Sequence, residues 1–273
     1  MCTVTWSTRA DGYDLFFNRD EHRARGTAIG PLTHTRPGAR VIAPLDPDGG
    51  GTWLAVNEHG LSHCLLNYYA ADAAADARGQ DAATIQLEAA DQVPTTAMRH
   101  SDRRVALPGR APRSRGLLVL ELSDSASVEE SAERLEQTDY GAYLPFILLV
   151  FAPGCEPRGY LHTGAAQLEA IALRPPLTTS SFQPAEVRRR RSRVYREMLA
   201  AYPDPVTALE RFHRSELPEP GPFAVAMSRD EAMTVSLSHV SVDTRRALFR
   251  YAPGPPAETP FSERLELERT WGP

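Results

Sequence analysis

A cysteine directly after the initiator methionine, and an Asn18-Arg19-Asp20-Glu21 run downstream of it, are the residues of this chain best suited to covalent chemistry. Methionine ahead of a residue as small as cysteine is ordinarily removed in cells. A chain that then begins at Cys2 carries a thiol nucleophile and a free α-amine on one residue. An α-amine has an ordinary pKa of about 7.7–8.0, so it accepts a proton near neutral pH and can act as base for its own thiol. Attack on an amide carbonyl also needs donors aimed at the developing oxyanion. Asn67 ends a predicted strand and can offer its side-chain amide. Arg19 can hold a carboxylate or favour the thiolate. Asp20 or Glu21 can orient the α-amine through a charge-assisted hydrogen bond. Each also has a plain structural role: Arg19-Asp20 as an ion pair at a strand end, Asn67 as a turn residue.

These residues must be brought together by strands. Residues 3–6 alternate small and apolar side chains and read as a strand, Asp11-Gly12 is a hairpin turn signal, and 13–18 return as a second strand. That hairpin carries residues 18–21 back to the N-terminus. Gly49-Gly50-Gly51 is a turn before a third strand at 52–56, and Asn57-Glu58-His59-Gly60 a turn before a fourth at 61–68, near whose end lies Asn67. Residues 70–80 read as a loop or weak helix, 84–90 are ambiguous, and 100–115 form a basic loop. Residues 116–122 read as a strand. Ser127 with Glu130 makes a capping box for a helix to about Gln137. Strands are expected at 144–151, 158–163 and 168–173, helices at 185–201 and 205–212, and strands at 222–227, 233–242 and 247–251. The Arg188-Arg189-Arg190-Arg191 run reads as a solvated helix face. Strands outnumber helices and regular βαβ units are few, which favours a layered α+β sandwich over a doubly wound parallel sheet.

Composition narrows the function classes. A chain of 273 residues, 42% hydrophobic and 24% charged with net charge −5, is expected to fold as one globular domain over 1–273. All 30 Lys and Arg residues are arginine, a pattern of GC-rich bacterial genomes. Cys2, Cys64 and Cys155 have no metal-like spacing, and their odd number argues against a disulfide framework, so a reducing cytoplasm is expected. The N-terminus lacks the pattern of a secretory signal. The longest apolar run, 143–152, contains Pro145 and is too short to span a bilayer. The basic loop lacks the interleaved aromatics of nucleic-acid binders. No metal site or cofactor is expected, the partner is a small-molecule amide or acyl substrate, and a homo-oligomer is left open.

Phe17-Asn18-Arg19-Asp20-Glu21, Gly50-Gly51-Thr52-Trp53-Leu54, Asn57-Glu58-His59-Gly60-Leu61 and Leu66-Asn67-Tyr68 occur in this order behind Met1-Cys2. Together they resemble the NRDE-motif family, whose eukaryotic namesake is Transport and Golgi organisation protein 2. The resemblance implies a four-layer αββα sandwich of the N-terminal-nucleophile (Ntn) hydrolase type with Cys2 as nucleophile. The same segments are similar to choloylglycine hydrolases, cysteine-type Ntn amidases, through Met1-Cys2-Thr3, Asp11-Gly12, Leu15-Phe16 and the pattern ending at Leu66-Asn67. That similarity implies an oxyanion role for Asn67. It also departs from the pattern: the Arg-x-x-Asp of that group falls on Asn18 and Glu21, its second Asn falls on Thr179, and its later active-site Arg has no counterpart.

Three activities compete on these residues. The first is an Ntn amidase that forms a Cys2 thioester after loss of Met1, using Asn18, Arg19, Asp20 and Asn67 in catalysis and Glu21, Tyr68, Thr179 and His213 in substrate contact. The second is an acyltransferase using the same acyl-enzyme. The third, suggested by the eukaryotic relatives, is a trafficking or haem-carrier protein with Cys2 as a soft ligand.

Overall fold

A computed structural model describes residues 1–69 and 112–270; the expectations for 70–80, 84–90 and nearly all of 100–115 fall outside the described residues. Two antiparallel sheets lie face to face. The first has the order β10-β1-β2-β11-β12-β13, built from Leu177–Thr179 (β10), Cys2–Arg9 (β1), Gly12–His22 (β2), Ala232–Val242 (β11), Arg246–Ala252 (β12) and Glu263–Glu268 (β13). The second runs in the order β3-β4-β5-β6-β7-β8-β9, from Ile29–Thr35, Arg40–Leu45, Leu54–Asn57, Ser62–Asn67, Phe146–Phe151, Arg158–His162 and Glu169–Ile171. Val4, Leu15, Phe17, Leu66, Ile147 and Leu149 interdigitate between the sheets. Full burial of each such side chain contributes about 1.5–3 kcal/mol.

Helices cover the two outer faces. Arg115–Leu122 (α1) and Val128–Glu136 (α2) sit on the second sheet, where Leu118, Val119, Leu122 and Leu135 join its outward-facing Val41, Ala55 and Leu148. Pro184–Ala201 (α3) and Pro205–His213 (α4) cover the first sheet, with Leu209 against Phe16 and Leu237, and Phe212 against Val194 and Val225. The layering is therefore α, β, β, α, the sandwich expected of the sequence. Among the described residues no helix is long and apolar enough to cross a membrane.

Several sequence expectations need correction. The 116–122 segment is helix, not strand: Leu118, Val119 and Leu122 recur at helical spacing and face the second sheet. A short apolar run does not by itself distinguish the two periods. No strand forms at 222–227; the Asn18 side chain donates to the Val225 carbonyl, and Ala226 N–H bonds the Ser215 carbonyl instead of a sheet ladder. β3, β4, β10 and β13 lie outside the strands expected from the sequence. β13 alternates charged residues with Leu265 and Leu267, and only Leu267 is buried, as suits an edge strand. The Ser127 cap forms as read, accepting from Glu130 N–H, while the Glu130 carboxylate returns to Ala126 N–H.

The hairpin loop is Ala10-Asp11, one residue earlier than the Asp-Gly signal suggests, because Arg9 pairs with Gly12. A Cβ at Gly12 would lie 1.8 Å from the Val242 carbonyl oxygen of β11, so glycine is needed for sheet pairing at that point, not for the turn. A loop at Asp11-Gly12 would set Glu21 opposite Cys2; the observed loop sets Arg19 there.

Four buried histidines are held neutral among the described residues, and one of them, His162, is lowered by burial. His63 is pushed from 6.5 to about 3 by burial and by Arg134. His213 is pushed well below its ordinary value by burial and Arg191. His239 is lowered by burial, against the pull of Asp14, to which its Nε2–H donates at 2.9 Å. A group whose pKa is depressed on folding adds stability above its unfolded value, and that stability is lost as the pH falls. Thermal unfolding should therefore occur at lower temperature at about pH 5 than at about pH 7.5. A melting temperature that stays level or rises on acidification would show that these histidines are not buried neutral.

Candidate active site

Cys2 begins β1, and pairing fixes its neighbours on both sides. Thr179 of β10 stands opposite it on one flank and Arg19 of β2 on the other, with Ser236 of β11 beyond Arg19. Side chains directly opposite in antiparallel strands share a face. Thr179, Cys2, Arg19 and Ser236 thus form one row on the face turned to the second sheet. Asn18 and Asp20 turn the other way, under α3 and α4. The register slips between Thr234 and Ser236, and this bulge gives Asp20 and Arg19 each a polar partner position on β11.

Two adjoining clefts of about 380 and 350 Å³ open at this row. Cys2, Arg19, Asp46, Trp53 and Gly116 line the second, Met1, Tyr69, Ser181, Arg229 and Ala232 the first, and Asp20, Glu21, Arg25, Asn67, Arg115 and Leu144 border both. Volumes of this size suit a small molecule. The walls are strongly charged. Arg19 is almost wholly buried, lies 4.5 Å from the centroid of the Trp53 ring, and pairs with Glu21 at 3.1 Å and Asp46 at 3.5 Å. Arg25 pairs with Asp46 at 2.5 Å and Asp48 at 3.4 Å.

Behind the row lies a closed ionic lock. Arg191 of α3 is 0% exposed, and its Nη1 lies 3.5 Å from Asp20 Oδ2 and donates to the Thr3 hydroxyl. Asp20 Oδ1 accepts from the Thr234 hydroxyl at 2.6 Å. Burial pushes Asp20 up and Arg191 down, and each opposes the other's shift by its charge. The solvated-face reading of the arginine run is corrected accordingly. Arg188 and Arg191, one helical turn apart, face inward, whereas Arg189 and Arg190 pair with Glu186 outside.

With Met1 in place neither the N-terminal amine nor the Cys2 thiol is activated. The Met1 amine donates to the Tyr69 hydroxyl at 2.5 Å, and Asn67 Nδ2 donates to the same oxygen at 3.4 Å. Burial disfavours the charged amine, but Tyr69, the Cys2 thiol and Asp20 outweigh it and raise it from 8.0 to about 11. An amine protonated to that pH is no base at neutrality. The thiol is raised above 9.0 by burial, which the neighbouring amine and Arg19 offset only in part. Cys64 is buried in the core and raised well above its ordinary value, again by burial.

The structure gathers Cys2, Arg19, Glu21 and Asn67 at the clefts, and sets Asp20 beneath them with its backbone N–H on the Met1 carbonyl at 3.2 Å. Thr179 sits beside Cys2 with its buried hydroxyl unpartnered. Asn18 and His213 lie on the face opposite the thiol, and Tyr68 shares the thiol's core cluster but lines neither cleft. Asn18 Nδ2 ties β2 to the carbonyls of His213 and Val225, and its Oδ1 accepts from His213 Nδ1 at 3.0 Å. His213 Nε2 meets the Thr5 hydroxyl at 2.8 Å. Tyr68 packs in the intersheet core. Sequence reasoning overlooked Trp53, Arg25, Tyr69, Arg115, Arg191 and Arg229. Helical spacing within the arginine run would have picked out Arg191; the others carry no signal apart from the fold. Among the described residues no His, Cys, Asp and Glu cluster could hold a metal ion.

Comparison with known proteins agrees with this architecture. Residues 1–164 match the family model described as Transport and Golgi organisation 2. No curated protein matches the chain in sequence. The fold is similar to two variants of the conjugated bile acid hydrolase from Clostridium perfringens, with TM-scores of 0.53 and 0.52 and identities of 13% and 12%. Each covers 98% of this chain and 92% of the other. It is also similar to the Caenorhabditis elegans ortholog of N-acylethanolamine-hydrolyzing acid amidase, at TM-score 0.50 and 11% identity over 88% of this chain and 92% of that one. At these identities the likeness is one of fold.

The lock makes a stability prediction. Arg191→Met leaves Asp20 buried without its counter-charge and should cost about 3–5 kcal/mol in urea unfolding, against less than about 0.5 for Arg189→Met. Equal effects at the two positions would mean that Arg191 does not neutralise a buried carboxylate.

Proposed function

The chain belongs to the Transport and Golgi organisation 2 family, and on that premise we propose that it is a cysteine hydrolase of the Ntn type, cleaving a small non-peptide amide from a Cys2 that has lost Met1. The observation that carries this reading is the register that puts the Cys2 side chain at the mouth of a charged cleft, directly opposite Arg19. A cysteine buried merely for packing, as Cys64 is, has no such surroundings.

The steps follow from the residues present. Loss of Met1 turns the Cys2 amide nitrogen into an α-amine and removes the protonated amine that now sits beside Tyr69. The new amine takes the thiol proton as sulfur attacks the substrate carbonyl. A carbon–sulfur bond forms, and the oxyanion takes hydrogen bonds from Asn67 Nδ2. The carbon–nitrogen bond then breaks, and the α-ammonium returns the proton to the leaving amine. Water attacks the thioester with the same amine as base and restores the thiol. Arg19 favours the thiolate and, with Glu21 and Arg25, lines the exit of a polar amine. Asp20, held by Arg191, positions its own N–H beneath the thiol. Thr179 presents a hydroxyl on the opposite flank. Because Met1 is 7% exposed, its excision precedes the docking of β1.

The test uses protein released from a fusion so that it starts at Cys2, with the exposed Cys155 changed to serine. On a panel of small acyl-aminocoumarin amides, Cys2→Ala should lower turnover by about 10⁴-fold while the protein remains folded at the assay temperature. Turnover that survives Cys2→Ala would rule the hydrolase out.

A further inference from the structure

Each residue of β1, from Cys2 to Arg9, has a partner in β2, and the ladder carries one bond past the strand's first residue: the Asp20 N–H donates to the Met1 carbonyl at 3.2 Å. Bonds between paired strands lie in the plane of the sheet. The Met1 carbonyl therefore sits at the strand end between the two faces, whereas its side chain turns to Arg191, with Sδ 3.8 Å from Nη2. Burial pushes the Cys2 thiol up, and the same Asp20 N–H, bonded to the sulfur, is among the groups that draw it back.

Loss of Met1 takes the carbonyl acceptor away. β1 then starts at Cys2, opposite Arg19, and none of its residues stands opposite Asp20. Asp20 is 4% exposed and held in place, because Arg191 and Thr234 bind its carboxylate from behind through contacts that do not involve Met1. A buried backbone N–H without an acceptor is costly, so the site calls for an oxygen where the Met1 carbonyl was. The group that stood there was an acyl carbonyl beside the sulfur. An acyl carbon joined to Cys2 Sγ brings another carbonyl oxygen to the same neighbourhood. Asp20 and Asn67 border both clefts, so the Asn67 side-chain amide adjoins the same space.

We propose that the backbone N–H of Asp20 is a catalytic donor to the oxyanion, covered by the Met1 carbonyl in the uncut chain and uncovered when Met1 is removed. This rests on the proposed Cys2 hydrolase. Excision of Met1 then has a second effect besides creating the α-amine: it vacates the position that the substrate carbonyl oxygen takes. The Arg191–Asp20 lock serves the reaction as well, since holding the carboxylate fixes the backbone that carries the donor.

One experiment reads the uncovering itself. Arg-Asp occurs at 19–20 and 229–230 and nowhere else in the chain. Asp230→Asn protein labelled with ¹³C in the arginine carbonyl and ¹⁵N in aspartate therefore gives a single amide signal, that of Asp20. Its hydrogen exchange should be about tenfold faster in protein starting at Cys2 than in protein starting at Met1, as befits the loss of one hydrogen bond. Equal exchange would mean that something other than the Met1 carbonyl holds the N–H, and would overturn the inference.

A second experiment removes the donor. An ester oxygen replaces the Asp20 N–H, introduced as the α-hydroxy analogue of aspartate by cell-free translation, in protein starting at Cys2 with Cys155→Ser. Modification of Cys2 by p-nitrophenyl acetate and by iodoacetamide is followed by intact mass. In acylation a carbon–sulfur bond forms, the carbon–oxygen bond breaks and p-nitrophenolate departs. In alkylation a carbon–sulfur bond forms, the carbon–iodine bond breaks and iodide departs. In both, the thiol proton passes through the Cys2 amine to water. Only acylation develops an oxyanion, so the ester should lower the acylation-to-alkylation rate ratio by about 100-fold, the usual loss for one oxyanion donor. If the ratio is unchanged while Cys2 with its natural amide at Asp20 outpaces glutathione towards the acetate, the inference is overturned and the nucleophile stands. If that Cys2 is no faster than glutathione, the nucleophile is overturned and the inference with it. The exchange experiment needs no ester and decides the matter should the ester protein fail to fold.

Discussion

Gly12 enters β2 so close to β11 that no side chain could be placed there without displacing the Val242 carbonyl. That contact pins the β1–β2 hairpin, and with it the identity of the residue facing Cys2. Strand pairing repeats every two residues, so the register decides which side chains of the Asn18-Arg19-Asp20-Glu21 run share the thiol's face. Arg19 meets the thiol, Glu21 follows it along the cleft, and Asn18 and Asp20 turn beneath the sheet. The candidate chemistry is a consequence of this alternation, since one segment supplies both the front and the back of the site.

The back is as constrained as the front. Asp20 is buried and must be compensated, and Arg191 reaches it from the helical layer, with Thr3 and Thr234 completing its hydrogen bonds. Asn18 and His213 fasten the same strand to the irregular segment carrying Val225. These contacts hold β2 from below, so that the backbone N–H of Asp20 stays beside the first residues of the chain. On the cleft side the charges compensate one another at the surface of the sandwich, where an incoming polar group can exchange with them. A rigid rear and an exchangeable front are what a preorganised site needs.

Much of this was legible in the residues, and the remainder was hidden for physical reasons. The hairpin, the helix after Ser127 and the long α3 helix follow from local signals. The motifs around Cys2 and Asn67 pointed to the cleft before any geometry was known. What could not be read were quantities set by distant partners. Asp11-Gly12 looks like a turn, but Gly12 is required by β11. Residues 116–122 are apolar enough for either period, and only the second sheet beneath Leu118 and Leu122 selects helix. The arginine run looks like a solvated face until Asp20 is known to lie under α3. Asn18 sits within a motif that reaches the site, yet the pleat turns its side chain to the other face, and Tyr68 is taken up in the core without lining the cleft.

The most direct test of the account is a thiolate titration, read as ultraviolet absorbance in the Cys155→Ser background, on protein released from a fusion either before Met1 or before Cys2. With Met1 retained, the account predicts that Cys2 forms its thiolate at higher pH than an ordinary cysteine, because burial raises it. With Met1 gone, it predicts a thiolate at distinctly lower pH, because the thiol gains an adjacent amine and an open cleft beside Arg19. Identical titrations for the two proteins would contradict it, and Cys2 would then be a packing residue at the start of a strand.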